Sequence, residues 1–158
     1  MSNVAVKWLE EGSRLFACRD SFGNMILAGS WPREDPAWQE WKAAKPSDLL
    51  LMSLASCAAH DVVAILERQR QNLTGLRIDV RGDQMPDPPY AFTDIHLHFT
   101  LEGPSLDPVK VERAITLSVD KYCSVAATIR GVATISHSHQ IAAVNVSEAL
   151  LSGDGQDL

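Results

Sequence analysis

The sequence predicts an α+β fold: three strands, one long helix, two strands, two shorter helices and a last strand. Three observations carry this reading. Short stretches alternate apolar and polar residues with the period of a half-buried strand, as where Ile95, Leu97, Phe99 and Leu101 alternate with His96 and His98. One run, Leu49 to Ala59, holds nothing more polar than Ser53, Ser56 and Cys57. Strands and helices are grouped rather than alternating one for one, so no βαβ regularity and no internal repeat is expected.

Taken in order, Val4, Val6 and Trp8 predict a strand over Val4–Leu9, and Gly12 lies in the turn after it. A second strand is expected over Arg14–Arg19, a tight turn at Ser21–Asn24 around Gly23, and a third strand over Met25–Ala28, giving an antiparallel meander. Gly29–Lys45 carries Trp31, Trp38, Trp41, Pro32 and Pro36. It shows no sustained periodicity beyond a possible short helix over Pro36–Ala44. Tryptophans in such a loop either anchor it to the surface or cover a ligand site or subunit interface.

The long helix is expected from Pro46 to Gln71. Ser47 is placed to cap it, Asp48 meets the positive end of the helix dipole, and Leu, Met and Ala are strong helix formers. Its Leu49–Ala59 stretch has no polar face, so the helix is expected to be buried on every side. One layer of strands cannot enclose such a helix, and a second copy of the chain is the simplest cover. Leu73–Asp83 and Phe92–Glu102 then read as a long hairpin joined by the proline-rich Met85–Tyr90. Asp107 and Pro108 open an amphipathic helix with Val111, Ala114, Ile115, Ser118 and Val119 on its apolar side, running to about Lys121. A break over Tyr122–Ser124, a short helix over Val125–Arg130 and a last strand within Val132–Val146 complete one domain over residues 1–158, with the tail from Ser152 expected to fray.

The chain has 14 Lys and Arg against 20 Asp and Glu, a formal charge of -6, which argues against nucleic acid or anionic membrane as partners. The apolar run falls short of the roughly 20 residues that span a bilayer, and Met1–Lys7 does not read as a secretory signal, so the cytoplasm is the expected compartment. The cysteines Cys18, Cys57 and Cys123 are an odd, widely spaced set, fitting neither a disulfide framework nor a zinc knuckle. They are either inert core residues or include a redox pair. His96 with His98, and His137 with His139, each share a strand face. No further ligand completes either set at a recognisable spacing, so no metal and no cofactor is expected. His60 is read as a polar residue where the helix meets water, and Cys18 as structural.

Pro46–Cys57 (PSDLLLMSLASC) and Lys121-Tyr-Cys123-Ser-Val resemble the two cysteine motifs of the OsmC-like family, which includes organic hydroperoxide resistance proteins. Cys57-Ala-Ala-His-Asp61-Val-Val and Thr134-Ile-Ser-His137-Ser resemble its YhfA-like branch. The resemblance implies an OsmC-like subunit of β3-α-β2-α2-β order in an intertwined homodimer with the central helix buried. It implies a thiol peroxidase that reduces organic hydroperoxides, with Cys57 as attacking thiol, Cys123 as resolving thiol and an external thiol or dithiol as reductant. In the peroxidase members a glutamate follows the proline and pairs with an arginine near the thiolate. Here Ser47 stands at the glutamate position with Asp48 beside it, and Met25–Ala28 holds no arginine. A non-catalytic binding protein for an apolar or acyl ligand is the alternative. Asp61, four residues after Cys57, opposes a thiolate there, whereas Cys123 precedes a short helix whose free N–H groups favour one. Cys123 is therefore expected to be the more acidic thiol.

Overall fold

The computed structural model describes residues 3–9, 14–30 and 43–142. The three loop tryptophans, Arg33, most of the possible helix over Pro36–Ala44 and the tail beyond Ala142 lie outside these residues. The chain divides into two compact units, Met1–Met52 and Ser53–Leu158.

In the first unit, β1 (Ala5–Trp8), β2 (Arg14–Arg19) and β3 (Met25–Ser30) form the expected antiparallel meander. Val6 lies opposite Cys18 and Trp8 opposite Phe16, while Cys18 and Phe16 lie opposite Ile26 and Ala28, so these six side chains share one face. Much of that face is open: Val6 is 64% exposed, Trp8 52% and Ile26 49%. The β2–β3 turn is held by the Asp20 carboxylate, which accepts the N–H groups of Phe22 and Asn24 and the Asn24 side-chain amide. Gly29 has a φ of +128°, and a Cβ there would collide with the Arg14 carbonyl, so only glycine fits where β3 passes β2 so closely.

Helix α1 (Pro46–Arg68) begins in the first unit and continues through the second. Its start differs from expectation. The Lys45 carbonyl accepts the N–H groups of Asp48 and Leu49, Pro46 occupies the first helical position, and the Ser47 hydroxyl is buried with no partner among the described residues. Ser47 is inside the helix rather than at its cap. Within a single chain, the expected burial of the helix is met along one stripe only. Leu54, Ala58, Val62 and Leu66, four residues apart, are fully buried, whereas Met52 is 59% and Leu50 40% exposed. One chain supplies cover for a single stripe of the helix. By length and composition alone α1 could cross a membrane, but a fully buried i, i+4 stripe is the mark of a core helix. The helix ends where Arg70 adopts a φ of 56°, with Gln71 N–H bonding the Leu66 carbonyl and Arg70 N–H the Glu67 carbonyl, a Schellman closure.

In the second unit, β4 (Gly75–Gln84) and β5 (Phe92–Glu102) make the expected hairpin, and β6 (Thr134–Ala142) pairs with β5 in parallel. Ile95, Leu97, Phe99 and Leu101 are buried with the α1 stripe and with Val111, Ala114 and Ile115 of α2 (Pro108–Leu117). The Asp107 carboxylate caps α2 by accepting the N–H groups of Val109 and Lys110, as the sequence predicts. Beyond Leu117 the structure departs from a continuous helix. Ser118–Tyr122 form one π-helical turn, followed by α3 (Ser124–Ile129).

Candidate functional site

The site grows from the π turn. In an α-helix the Ser118 carbonyl would take the N–H of Tyr122; here it takes that of Cys123, at 2.9 Å. The extra residue turns Tyr122 outward, 52% exposed, and brings Cys123 inside, 1% exposed. Two side chains fix the turn. The buried Ser118 hydroxyl donates to the Ala58 carbonyl of α1 at 3.0 Å. The Arg130 guanidinium donates to the carbonyls of Val119 at 2.8 Å and Asp120 at 3.0 Å, and to the Asp120 carboxylate at 3.1 Å. These carbonyls lie where the helix ends and intrahelical donors run out.

The result brings the two sequence-predicted cysteines together: the Cys57 and Cys123 side chains are close enough for each to shift the acidity of the other. Cys57, on α1 beside the buried Ala58, is half-buried. The Ser124 hydroxyl lies 4.0 Å from its sulfur. Cys123 adopts an extended backbone before α3, and its sulfur accepts the Ala126 N–H at 3.3 Å.

Their acidities are the reverse of the sequence expectation. Burial pushes the Cys57 thiol up, but the nearby Cys123 thiol, the N–H of Val125 and the hydroxyl and N–H of Ser124 outweigh it, so Cys57 lies below the ordinary thiol value. Burial is the first cause of the opposite shift in Cys123. The neighbouring Cys57 adds to it, and the Cys123 thiol is pushed up to about 11 despite the N–H groups of Ala126 and Val125. The donors at the start of α3 favour charge on Cys57 across the gap more than on Cys123 beside them. The arrangement joins a reachable, acidified thiol to a buried, protonated one.

The other candidates lie elsewhere. Cys18 is a half-buried thiol in β2. The His60 side chain is 85% exposed, with its ring 3.8 Å from the Asp61 carboxylate. His96 and His98 hydrogen-bond Ser136 and Ser138 across the polar face of the second sheet, at 2.8 Å each. His137 and His139 share the opposite face with Leu97 and Phe99, and His139 pairs with Glu112 of α2 at 2.9 Å. Among the described residues no group of three or more His, Cys, Asp or Glu is gathered as metal ligands would be.

Sequence reasoning missed Ser118, Ser124 and Arg130 as parts of the site. For Ser118 a signal existed: it is a polar residue on an otherwise apolar helix stripe, and a buried hydroxyl must find a partner. Ser124 is marked only by following Cys123, and nothing in the sequence distinguishes Arg130.

The family model for OsmC-like proteins matches residues 39–138 of this chain. The chain belongs to the OsmC-like family. Protein YhfA of Escherichia coli strain K12 is 33% identical to this OsmC-like protein over 138 residues, covering 87% of the chain and 96% of YhfA. Among solved structures, a hypothetical protein from Aquifex aeolicus superposes on the OsmC-like chain with a TM-score of 0.78 at 26% identity, covering 90% of this chain and 97% of that one. The organic hydroperoxide resistance protein OsmC from Legionella pneumophila superposes with a TM-score of 0.64 at 18% identity, covering 89% and 96%, a likeness of fold.

Proposed function

We propose that this OsmC-like protein is a thiol peroxidase that reduces organic hydroperoxides through Cys57 and Cys123, in defence against oxidative stress. The observation that carries the reading is the asymmetric pair: a half-buried thiol of lowered pKa beside a buried thiol of raised pKa. The Cys57 thiolate attacks the distal oxygen of the hydroperoxide. The O–O bond breaks, the alkoxide takes a proton and leaves as an alcohol, and Cys57 is oxidised to the sulfenic acid. The Cys123 sulfur then attacks the Cys57 sulfur. The S–O bond breaks, hydroxide leaves with the thiol proton as water, and a disulfide forms. Two thiols thus reduce one hydroperoxide to alcohol and water, and an external thiol or dithiol restores them by exchange. The name of the Legionella protein supports this substrate class, and an apolar helix flank suits a greasy hydroperoxide.

The working form is read as an intertwined homodimer of a single OsmC-like domain, in the cytoplasm, with no cofactor and no nucleic-acid or membrane partner. The open apolar positions Val6, Trp8, Ile26, Leu50 and Met52 support a subunit contact. A second reading, a non-catalytic protein that sequesters an apolar or acyl ligand, is favoured by Ser47 at the position where the family's peroxidases hold glutamate.

One equivalent of cumene hydroperoxide, followed by intact-mass and peptide analysis, separates the two. The peroxidase reading expects a loss of about two mass units and a Cys57–Cys123 linkage; an unmodified chain sinks it. Cys57→Ser is expected to abolish peroxide consumption. Cys123→Ser is expected to allow one turnover and leave Cys57 as sulfenic or sulfinic acid.

A further inference from the structure

Among the described residues Ser118 is the polar residue whose whole side chain is enclosed in a core otherwise built of apolar side chains. Both of its bonding ends are committed to the backbone that carries the thiols. Its hydroxyl donates to the carbonyl of Ala58, the residue next to Cys57, at 3.0 Å, and its carbonyl accepts the N–H of Cys123 at 2.9 Å. The Ala58 carbonyl, in mid-helix, already has the N–H four residues on as a partner, so backbone satisfaction alone does not call for a serine here. Nor does packing. Val111, Ala114, Ile115 and Val119 fill the same stripe with apolar side chains, and a small apolar residue at position 118 would need no partner. What the hydroxyl adds is direction: it ties the π turn to α1 within one residue of Cys57.

We propose that Ser118 is a positioning residue that holds the Cys123 thiol against Cys57, so that the pair can close to a disulfide without rearranging the turn. The inference rests on the Cys57/Cys123 redox reading for its role, though not for its geometry. Closure costs little when the reacting atoms are already held together, and a turn released from α1 lowers the effective concentration of one thiol at the other. The same release moves the Cys123 thiol, one of the groups that lower the Cys57 value, away from Cys57.

The test compares full-length wild type, Ser118→Ala and Val111→Ala, the last removing core packing from α2 without touching the tie. Each is equilibrated in glutathione buffers, where the disulfide and two glutathione thiols exchange with the dithiol and glutathione disulfide. Separately, alkylation of the Cys57 peptide by iodoacetamide is followed against pH. Ser118→Ala is expected to lower the effective concentration of the pair about tenfold, a rise of about 30 mV in reduction potential for this two-electron couple. It is also expected to move the Cys57 alkylation profile to higher pH. Val111→Ala should leave both at the wild-type value. Wild-type potential and profile in Ser118→Ala would reduce the serine to core packing, and equal shifts in Val111→Ala would make the effect one of general loosening. If the wild type forms no disulfide, the peroxidase reading fails, and the alkylation profile then decides the clamp alone: a raised profile in Ser118→Ala upholds it, an unmoved one overturns it.

Discussion

The two sheets are both three-stranded, yet they meet their surroundings differently. In the second, Ile95, Leu97, Phe99 and Leu101 of β5 are at most 1% exposed while His96 and His98 face outward. In the first, Val6, Trp8 and Ile26 share a face that remains half open, and Leu27 on the other face is 39% exposed. The second sheet is thus completed by its own helices, and the first leaves more apolar surface exposed among the described residues. Stability is expected to reside in the second unit, and association in the first.

The strongest challenge to that division is Leu54→Asp. It places an unpaired carboxylate in a fully buried stripe and is expected to remove the cooperative unfolding transition altogether. Phe99→Ala should cost about 3–5 kcal/mol in urea unfolding, as expected for truncating a fully enclosed aromatic. A third effect is pH-dependent. Cys123 keeps its proton in the folded chain to about 11 but loses it near the ordinary value of 9.0 when unfolded. Between these values the unfolded state binds fewer protons, so the reduced protein should lose up to roughly 2–3 kcal/mol as pH rises through that window. The loss should vanish in Cys123→Ala. Cys57 has the opposite sign: its lowered value contributes stability that is present above the ordinary thiol value and fades as pH falls through the folded one.

Smaller effects sharpen the contrast. Asp107→Ala removes the α2 cap and should cost about 1 kcal/mol. Val6→Asp, on the open face of the first sheet, should change the chain's own unfolding free energy by less than about 0.5 kcal/mol. On the proposed homodimer reading, the same change should shift sedimentation from dimer to monomer. A large stability loss in a protein that is already monomeric would mean that the first sheet is covered within its own chain.

The elements were legible because each has a local cause. Alternation gives β5 its observed bounds, Asp107-Pro108 starts α2 where the structure starts it, and the meander follows from three short alternating stretches and their turns. Parallel pairing of β6 with β5 was not legible, since a strand's pattern records which face is buried and not the direction of its neighbour. The identity of the cysteine pair came through its motifs. The order of acidity did not, because a sulfur responds to donors in space. The N–H groups of Ser124 and Val125 lie far from Cys57 in sequence, yet act on it where the π turn brings the start of α3 to α1. That turn was invisible for a related reason: one residue of helix widening changes no hydrophobic period over so short a span.

The parallel pairing of β5 with β6 also has a bearing on how the chain is assembled. A hairpin such as β4–β5 can close as soon as its two arms exist, but a parallel partner must wait for a crossover, here residues 103–133, to be laid down. Contacts between residues so far apart in sequence form late and slowly. Cys123 lies inside that crossover, whereas Cys57 belongs to the helix before the hairpin. During synthesis Cys57 is therefore made well before Cys123, and the two can meet only once the crossover has been laid down against α1.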